Sequence, residues 1–125
     1  MSFREKHPAL FEAFFIQYVA TALWASTDVD SGESLNGDYN VDHINGECLE
    51  AMKVECNDFI EQNIDLIGTN FSLAGHDFWL TRNRHGAGFW DGGWEESVGK
   101  ILTERSHAFG SCDLYLADDG CLYVV

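Results

Sequence analysis

The segment from Ala9 to Ala25 reads ALFEAFFIQYVATALWA, and it decides how the rest of the chain can fold. Its polar residues Glu12 and Gln17 point roughly 140° apart on a helix, so a helix from Pro8 to about Trp24 has no single polar face. The segment is shorter than the roughly 20 uncharged residues that a membrane span needs. We therefore predict a core helix that is the most buried element of the fold. Its buried aromatic residues would be Phe11, Phe14, Phe15 and Tyr18.

A second, amphipathic helix is predicted from about Ile44 to Ile67, with Asp42 as its N-cap and Gly68 at its C-terminus. Its apolar residues recur at spacings of three and four: Ile44, Cys48, Met52, Cys56, Phe59, Ile60 and Ile64. Acidic side chains fall within about 80° of one another on another side of this helix. This set, called the acidic face below, consists of Glu47, Glu50, Asp58, Glu61 and Asp65.

Two β-hairpins are predicted around a third helix. Residues Gly75 to Trp90 alternate in polarity and contain turn residues at 83–86, which favours a first hairpin. A helix follows from about Trp94 to Phe109, where Gly110 ends it. A second hairpin closes the chain, with strands 114–116 and 122–124 on either side of Asp119-Gly120. The order α-α-β-β-α-β-β predicts a single α+β domain over residues 1–125 with an antiparallel sheet.

The composition narrows the classes of function. The chain has 125 residues and a net charge of −14, which repels nucleic acid and anionic membranes. Such a charge favours a basic partner or a cation, or it serves only to keep the protein soluble. None of the four cysteines forms a Cys-x-x-Cys pair, and no signal peptide is recognised, so we expect reduced thiols in the cytoplasm. Residues 28–33 resemble the start of a calcium loop, but Glu33 and Tyr39 stand where that loop needs glycine and glutamate. The sequence predicts no cofactor and no metal site.

A cluster of histidine, tryptophan and charged residues in the first predicted hairpin has three interpretations. It consists of His76, Trp79, Arg82, His85, Trp90 and Asp91. The residues can be structural, with their aromatic rings in the core, or they can form a partner-binding face, because Trp and Arg anchor interfaces. The third interpretation is a small metal-dependent or hydrolytic enzyme centred on His76, His85 and Asp91. No nucleophile elbow, P-loop or Rossmann glycine pattern supports catalysis.

The same cluster carries a resemblance. Residues 75–91 read GHDFWLTRNRHGAGFWD and resemble a stretch common in small hypothetical proteins of bacteriophages and prophages, which have no established activity. The similarity continues through the third predicted helix to Gly120. Arg84 stands where the commoner form has glycine, so the chain departs from the pattern at the turn. The resemblance implies a phage setting and supplies no catalytic residues.

These observations together predict a non-enzymatic phage accessory protein that binds and blocks a host protein in the host cytoplasm. Residues 28–65 hold eleven acidic side chains against one lysine, so the acidic face is the first candidate interface. Such a face can mimic nucleic acid and capture a basic or nucleic-acid-binding protein, as in anti-defence or host takeover. The cluster around Trp79, Arg82 and Trp90 is the alternative interface. The sequence leaves open whether the chain is a homodimer.

Overall fold

The computed structural model describes residues 1–125 as five helices and a small antiparallel sheet, which confirms the α+β class. The helices are α1 (Phe3–Lys6), α2 (Pro8–Ala25), α3 (Gly46–Ile67), α4 (Phe71–Arg82) and α5 (Glu96–Ala108), and the strands are β1 (Leu114–Leu116) and β2 (Leu122–Val124). Two short 3-10 turns, Leu35–Gly37 and Val41–His43, interrupt the connection between α2 and α3.

The centre of the fold is the contact between α2 and α4, which is the most extensive contact between elements. Phe11, Phe14, Phe15 and Tyr18 of α2 are all buried, as predicted. The prediction that this helix is the most buried element is wrong. Nine of the twelve residues of α4 are buried, against eight of the eighteen in α2. The core is aromatic at its centre, where the rings of Phe59 and Phe78 stack with centroids 4.0 Å apart.

By length and composition alone, α2 could also cross a membrane, since its mean hydropathy is 1.2 over 18 residues. Core helices pass the same test, and α2 buries 44% of that window within the fold. Its exposed apolar side chains include Ile16 and Trp24. In this structure α2 is packed as a helix of the protein core.

The first predicted hairpin, Gly75 to Trp90, is wrong. Residues 71–82 form the helix α4, and residues 83–95 form turns with no strand. The buried positions Phe71, Ala74, Phe78 and Arg82 follow the helical spacing of three and four. Because α4 is buried on almost every side, it shows no polar stripe, and its short polar-apolar alternation imitates a strand. The observed order is therefore helical up to the single C-terminal hairpin.

The predicted limits of the other helices hold to within a few residues, but one cap is wrong. Asn45, not Asp42, caps α3, because its Oδ1 accepts hydrogen bonds from the backbone N–H groups of Glu47 and Cys48, both at 3.1 Å. Asp42 lies one turn earlier, inside a 3-10 turn capped by Asn40. Helix α5 begins at Glu96, two residues after the predicted Trp94.

The C-terminal hairpin is confirmed. Leu114, Tyr115 and Leu116 of β1 lie opposite Val124, Tyr123 and Leu122 of β2. Gly120 has φ 83°, the left-handed conformation that the predicted Asp-Gly turn requires. The parallel bridge between Ile44 and Leu122 attaches the hairpin to the segment before α3.

Arg84 is the only residue other than glycine with a positive φ, at 56°. The left-handed conformation costs an L-residue roughly 1–2 kcal/mol, and glycine avoids that cost. We therefore expect Arg84→Gly to raise the free energy of unfolding by about 1 kcal/mol, measured by urea denaturation. Arg84→Ala removes the same charge but keeps the Cβ atom, so it should leave stability nearly unchanged. If the two variants are equally stable, the effect of Arg84→Gly does not come from the backbone conformation of residue 84.

Candidate partner-binding site

All five residues of the acidic face are exposed on α3, as predicted, but they are not equally free. The four-residue helix α1 lies against this face. The Arg4 guanidinium donates to both carboxylate oxygens of Glu50, at 2.8 and 3.4 Å. The backbone N–H of Phe3 donates to Glu61 Oε2 at 2.7 Å, and that of Arg4 donates to Asn57 Oδ1 at 2.9 Å. Glu50 and Glu61 therefore hold α1 in place.

Electrostatics at the two carboxylates agree with this role. The hydrogen bond from Arg4 lowers the pKa of Glu50, and the bonds from the Phe3 backbone and Asn57 lower the pKa of Glu61. Both shifts mean that the folded state favours the ionised carboxylate. The stability from these contacts is present above the ordinary carboxyl pKa and is lost as the pH falls through the lowered values.

A kink divides the acidic face. Asn63 of α3 has non-helical angles, φ −130° and ψ 17°, and its amide donates to the carbonyl of Phe59 at 2.8 Å. From α5, Arg105 holds the kink by donating to Asn63 Oδ1 at 2.8 Å and to the Gln62 carbonyl at 3.1 Å. Asp65 lies beyond the kink. Of the predicted face, only Glu47 and Asp58 are both on the straight part of α3 and free of α1.

The acidic loop before α3 packs elsewhere. Leu35 in this loop is buried, and its 3-10 turn contacts α2. The Leu35 backbone N–H donates to the Ser26 carbonyl at 2.9 Å, at the end of α2. Within this loop, residues 26–40, the side chains of Asp30, Glu33 and Asp38 are exposed and Asp28 is half-buried, and the contact that anchors the loop is with α2.

The structure separates the predicted cluster of histidine, tryptophan and charged residues into an inner and an outer group. Trp79 and Arg82 are buried, and His76 is half-buried with its Nδ1 2.8 Å from Thr21 Oγ1 on α2. The other three, His85, Trp90 and Asp91, lie exposed in the turns after α4. The six residues therefore form no common interface.

Arg82 has a structural role. Its guanidinium donates to Glu55 at 3.0 and 3.3 Å, to Tyr18 Oη at 3.0 Å, and to the carbonyls of Phe109 and Gly110 at 3.2 and 2.8 Å. Burial opposes its charge, but Tyr18 and Glu55 more than offset this and raise the pKa of Arg82. One side chain thus joins α2, α3, α4 and the end of α5.

Asp77 is a buried carboxyl group that is hydrogen-bonded to Trp94. The sequence did not predict this pair. Asp77 is 4% exposed, and Trp94 Nε1 donates to its Oδ2 at 2.7 Å. Burial raises the pKa of Asp77, although the bond from Trp94 lowers it. The raised pKa means that this group favours folding at low pH and opposes it once ionised. No group of three His, Cys, Asp or Glu side chains is placed to hold a metal, and this includes the set His76, His85 and Asp91.

A groove at the C-terminal end of α4 was missed from the sequence, because it is assembled from three distant segments. It has a volume of about 540 Å³ and lies between residues 25–29, the end of α4 with the following turn, and residues 111–115. Below it is called the β1 groove, because part of β1 borders it. The side chains that line it include Thr27, Val29, Trp79, His85, Asp113 and Tyr115. Cys112 also lines it, and burial raises the pKa of that thiol, so the thiol stays protonated at neutral pH.

Comparisons with protein-family models, with curated proteins and with solved structures gave no match to this chain.

Proposed function

We propose that this chain is a non-enzymatic binding protein that occupies and blocks a basic surface on a partner protein. The observation that carries the proposal is that few of the acidic side chains have a basic partner within the fold. Of the 21 aspartate and glutamate residues, only Glu50 and Glu55 form ion pairs. Most carboxylates of the folded protein, whose net charge is −14, therefore have no basic side chain paired with them.

Such a surface destabilises the compact state through self-repulsion and attracts a positively charged partner. A basic partner relieves this repulsion, so its affinity should depend on the number of negative charges on the surface. The more specific form of the proposal, mimicry of nucleic acid by a continuous ribbon of carboxylates on α3, has less support. Helix α1 engages Glu50 and Glu61, and the kink at Asn63 interrupts the ribbon before Asp65. We therefore propose a basic protein surface in general as the target.

The phage setting enters the proposal from the resemblance of residues 75–91 to phage and prophage proteins. Most of that stretch has a role in the core. Gly75 and Phe78 pack within it. Asp77 accepts a hydrogen bond from Trp94, and Arg82 forms an ion pair with Glu55. The shared motif therefore supports a shared fold more than a shared active site. In a phage setting, a protein with a free acidic surface would bind and block a host protein in the host cytoplasm. No contact in the structure favours the alternative enzyme at His76, His85 and Asp91.

Neutralising the exposed carboxylates of α3 tests the proposal. The triple variant Glu47→Gln, Asp58→Asn, Asp65→Asn leaves Glu50 and Glu61 in place, so α1 keeps its contacts. We expect it to bind the partner about tenfold more weakly, since each exposed ion pair contributes up to about 1 kcal/mol. The partner is first captured from a bacterial lysate with the wild-type chain, then purified, and its affinity is measured by calorimetry.

The matched control is Glu12→Gln, Glu96→Gln, Glu104→Gln, which removes the same charge from exposed positions on α2 and α5. The control should keep most of the affinity, and both affinities should fall as salt rises from about 50 to about 200 mM. Equal weakening by the two triple variants would leave a general acidic surface without a preferred face. An affinity for the captured partner that changes neither with salt nor in either triple variant would contradict the proposal.

A further inference from the structure

The two-stranded sheet has one covered edge and one open edge. Asp113 and Val125 exchange two backbone hydrogen bonds, at 3.1 and 3.0 Å, and the Ala117 N–H donates to the Cys121 carbonyl at 2.9 Å. In an antiparallel ladder, hydrogen-bonded pairs alternate with pairs whose backbone groups point outward. The N–H and C=O groups of Leu114 and Leu116 therefore point away from β2.

The outer edge of β2 is covered by the start of α3. The Asn45 N–H donates to the Leu122 carbonyl at 2.8 Å, and the Val124 N–H lies 3.5 Å from Cys48 Sγ. The outward groups of Leu114 and Leu116 on β1, in contrast, make no hydrogen bond to any other group of the chain. An unpaired strand edge is a template for the pairing of another strand.

The open edge of β1 borders the β1 groove. Leu114 and Tyr115 line this cavity of about 540 Å³. Leu114 is only 5% exposed, so little of it meets water, and an unpaired backbone group without water costs free energy. Trp79 also lines the groove, and its indole N–H is the only buried side-chain N or O group without a hydrogen-bond partner. The groove thus borders the unpaired edge of β1, whereas the indole N–H of Trp79 is itself buried and is not exposed to an occupant.

The charged residues around the groove favour an occupant with a positive charge. Asp113 lines it, and Asp28 lies in the chain between the lining residues Thr27 and Val29. No lysine or arginine lines the groove, and His85 is its only basic side chain. The exposed ring of Tyr115 also offers a face to a cationic side chain.

We propose that β1 accepts an extended, basic segment of the partner protein as a third strand, with side chains of that segment seated in the β1 groove. The proposal rests on the proposed function, because it adds to the acidic face of α3 a docking site for one extended segment of the same basic partner. Main-chain hydrogen bonds to Leu114 and Leu116 supply affinity, and the groove and Asp113 supply selectivity, as in other cases of strand addition.

Three peptides of about eight residues, the length of a long strand, serve as probes. The first alternates lysine and valine, the second has the same sequence with N-methylated central residues, and the third alternates glutamate and valine. Titration calorimetry with the full chain measures binding. We expect the basic peptide to bind, and N-methylation to weaken it about tenfold or more, because it removes several hydrogen-bond donors. The acidic peptide should bind at least about tenfold more weakly than the basic one.

A pair of variants tests the edge on the protein side. Leu116→Pro removes an outward N–H that β2 does not use, so the β1–β2 ladder keeps its bonds. It should weaken the basic peptide about tenfold, while Leu116→Ala, which keeps the N–H, should change affinity less than about threefold. Circular dichroism checks that each variant is folded. The N-methylated peptide tests the same hydrogen bonds on the wild-type chain if Leu116→Pro fails to fold.

The outcomes separate this inference from the proposed function. Binding of the basic peptide that is indifferent to N-methylation and to Leu116→Pro overturns strand addition and leaves a purely electrostatic partner surface. Equal binding of the acidic peptide overturns the choice of a basic segment. A wild-type dimer in light scattering that Leu116→Pro converts to a monomer assigns the edge to a second copy and overturns the inference. Binding of none of the peptides to the monomer also overturns it, while lysate capture still decides the proposed function.

Discussion

Replacing Arg82 with methionine should lower the free energy of unfolding by about 3 to 5 kcal/mol, measured by urea denaturation. The guanidinium is almost fully buried and joins Glu55, Tyr18 and two main-chain carbonyls. Methionine has a similar length but no donor, so several buried acceptors lose their partner, at about 1–3 kcal/mol for each unsatisfied group. Arg82→Lys should recover only part of the loss, because an ammonium group cannot reproduce the planar fork of donors.

The exposed ion pair on α1 provides the matched control. Arg4→Met breaks a bidentate pair with Glu50 whose two side chains are 29% and 60% exposed, against 2% for the Arg82 side chain. Solvent screens such a pair, so we expect a much smaller loss of stability than for Arg82→Met. If Arg82→Met costs no more than Arg4→Met, the carbonyls at the end of α5 do not depend on Arg82, and its structural role is wrong.

Gly75→Ala should cost about 3 kcal/mol or more, at the upper end of the range for overpacking a core. A Cβ atom at residue 75 would overlap the carbonyl oxygen of Phe14, which belongs to the backbone of α2 and cannot turn aside. The two helices must then separate along the most extensive contact of the fold. The unfolding midpoint in urea and in heat should both fall.

Gly46→Ala is the control for this prediction. Gly46 also lies in a helix, but a Cβ atom there would have no neighbour within 4 Å. Alanine is the better helix former by up to about 1 kcal/mol, so this variant should be neutral or slightly more stable. A Gly75→Ala variant as stable as Gly46→Ala would mean that α2 and α4 do not approach as closely as the structure has them.

The parts of the fold with a clear periodicity were predictable from the sequence. The amphipathic pattern of α3, the Asp119-Gly120 turn between β1 and β2, and the absence of a polar face on α2 each led to an element that the structure contains. Helix α4 was missed for a physical reason: with nine of its twelve residues buried, it has no polar stripe to reveal its period. Gly75, which was predicted to begin a β-hairpin, is instead the point of close approach between two helices.

The candidate site was predictable only in part. The exposure of the acidic face followed from the helical angle alone. Its cover did not, because Glu61 pairs with the backbone of Phe3 and Glu50 with Arg4, which are remote in sequence and carry no pattern that links them. The β1 groove was missed for the same reason, since the open edge of β1 depends on which segment happens to lie beside it.

The pairing of α2 with α4 has a consequence for the order in which the protein is made. Residues 26–70 lie between the two helices, so α2 leaves the ribosome well before its main partner exists. During that interval the rings of Phe14 and Tyr18, which are completely buried in the finished fold, have nothing to cover them. Nascent chains with open apolar surface are prone to aggregate and recruit chaperones. The speed of translation through α3 therefore sets how long this segment is exposed.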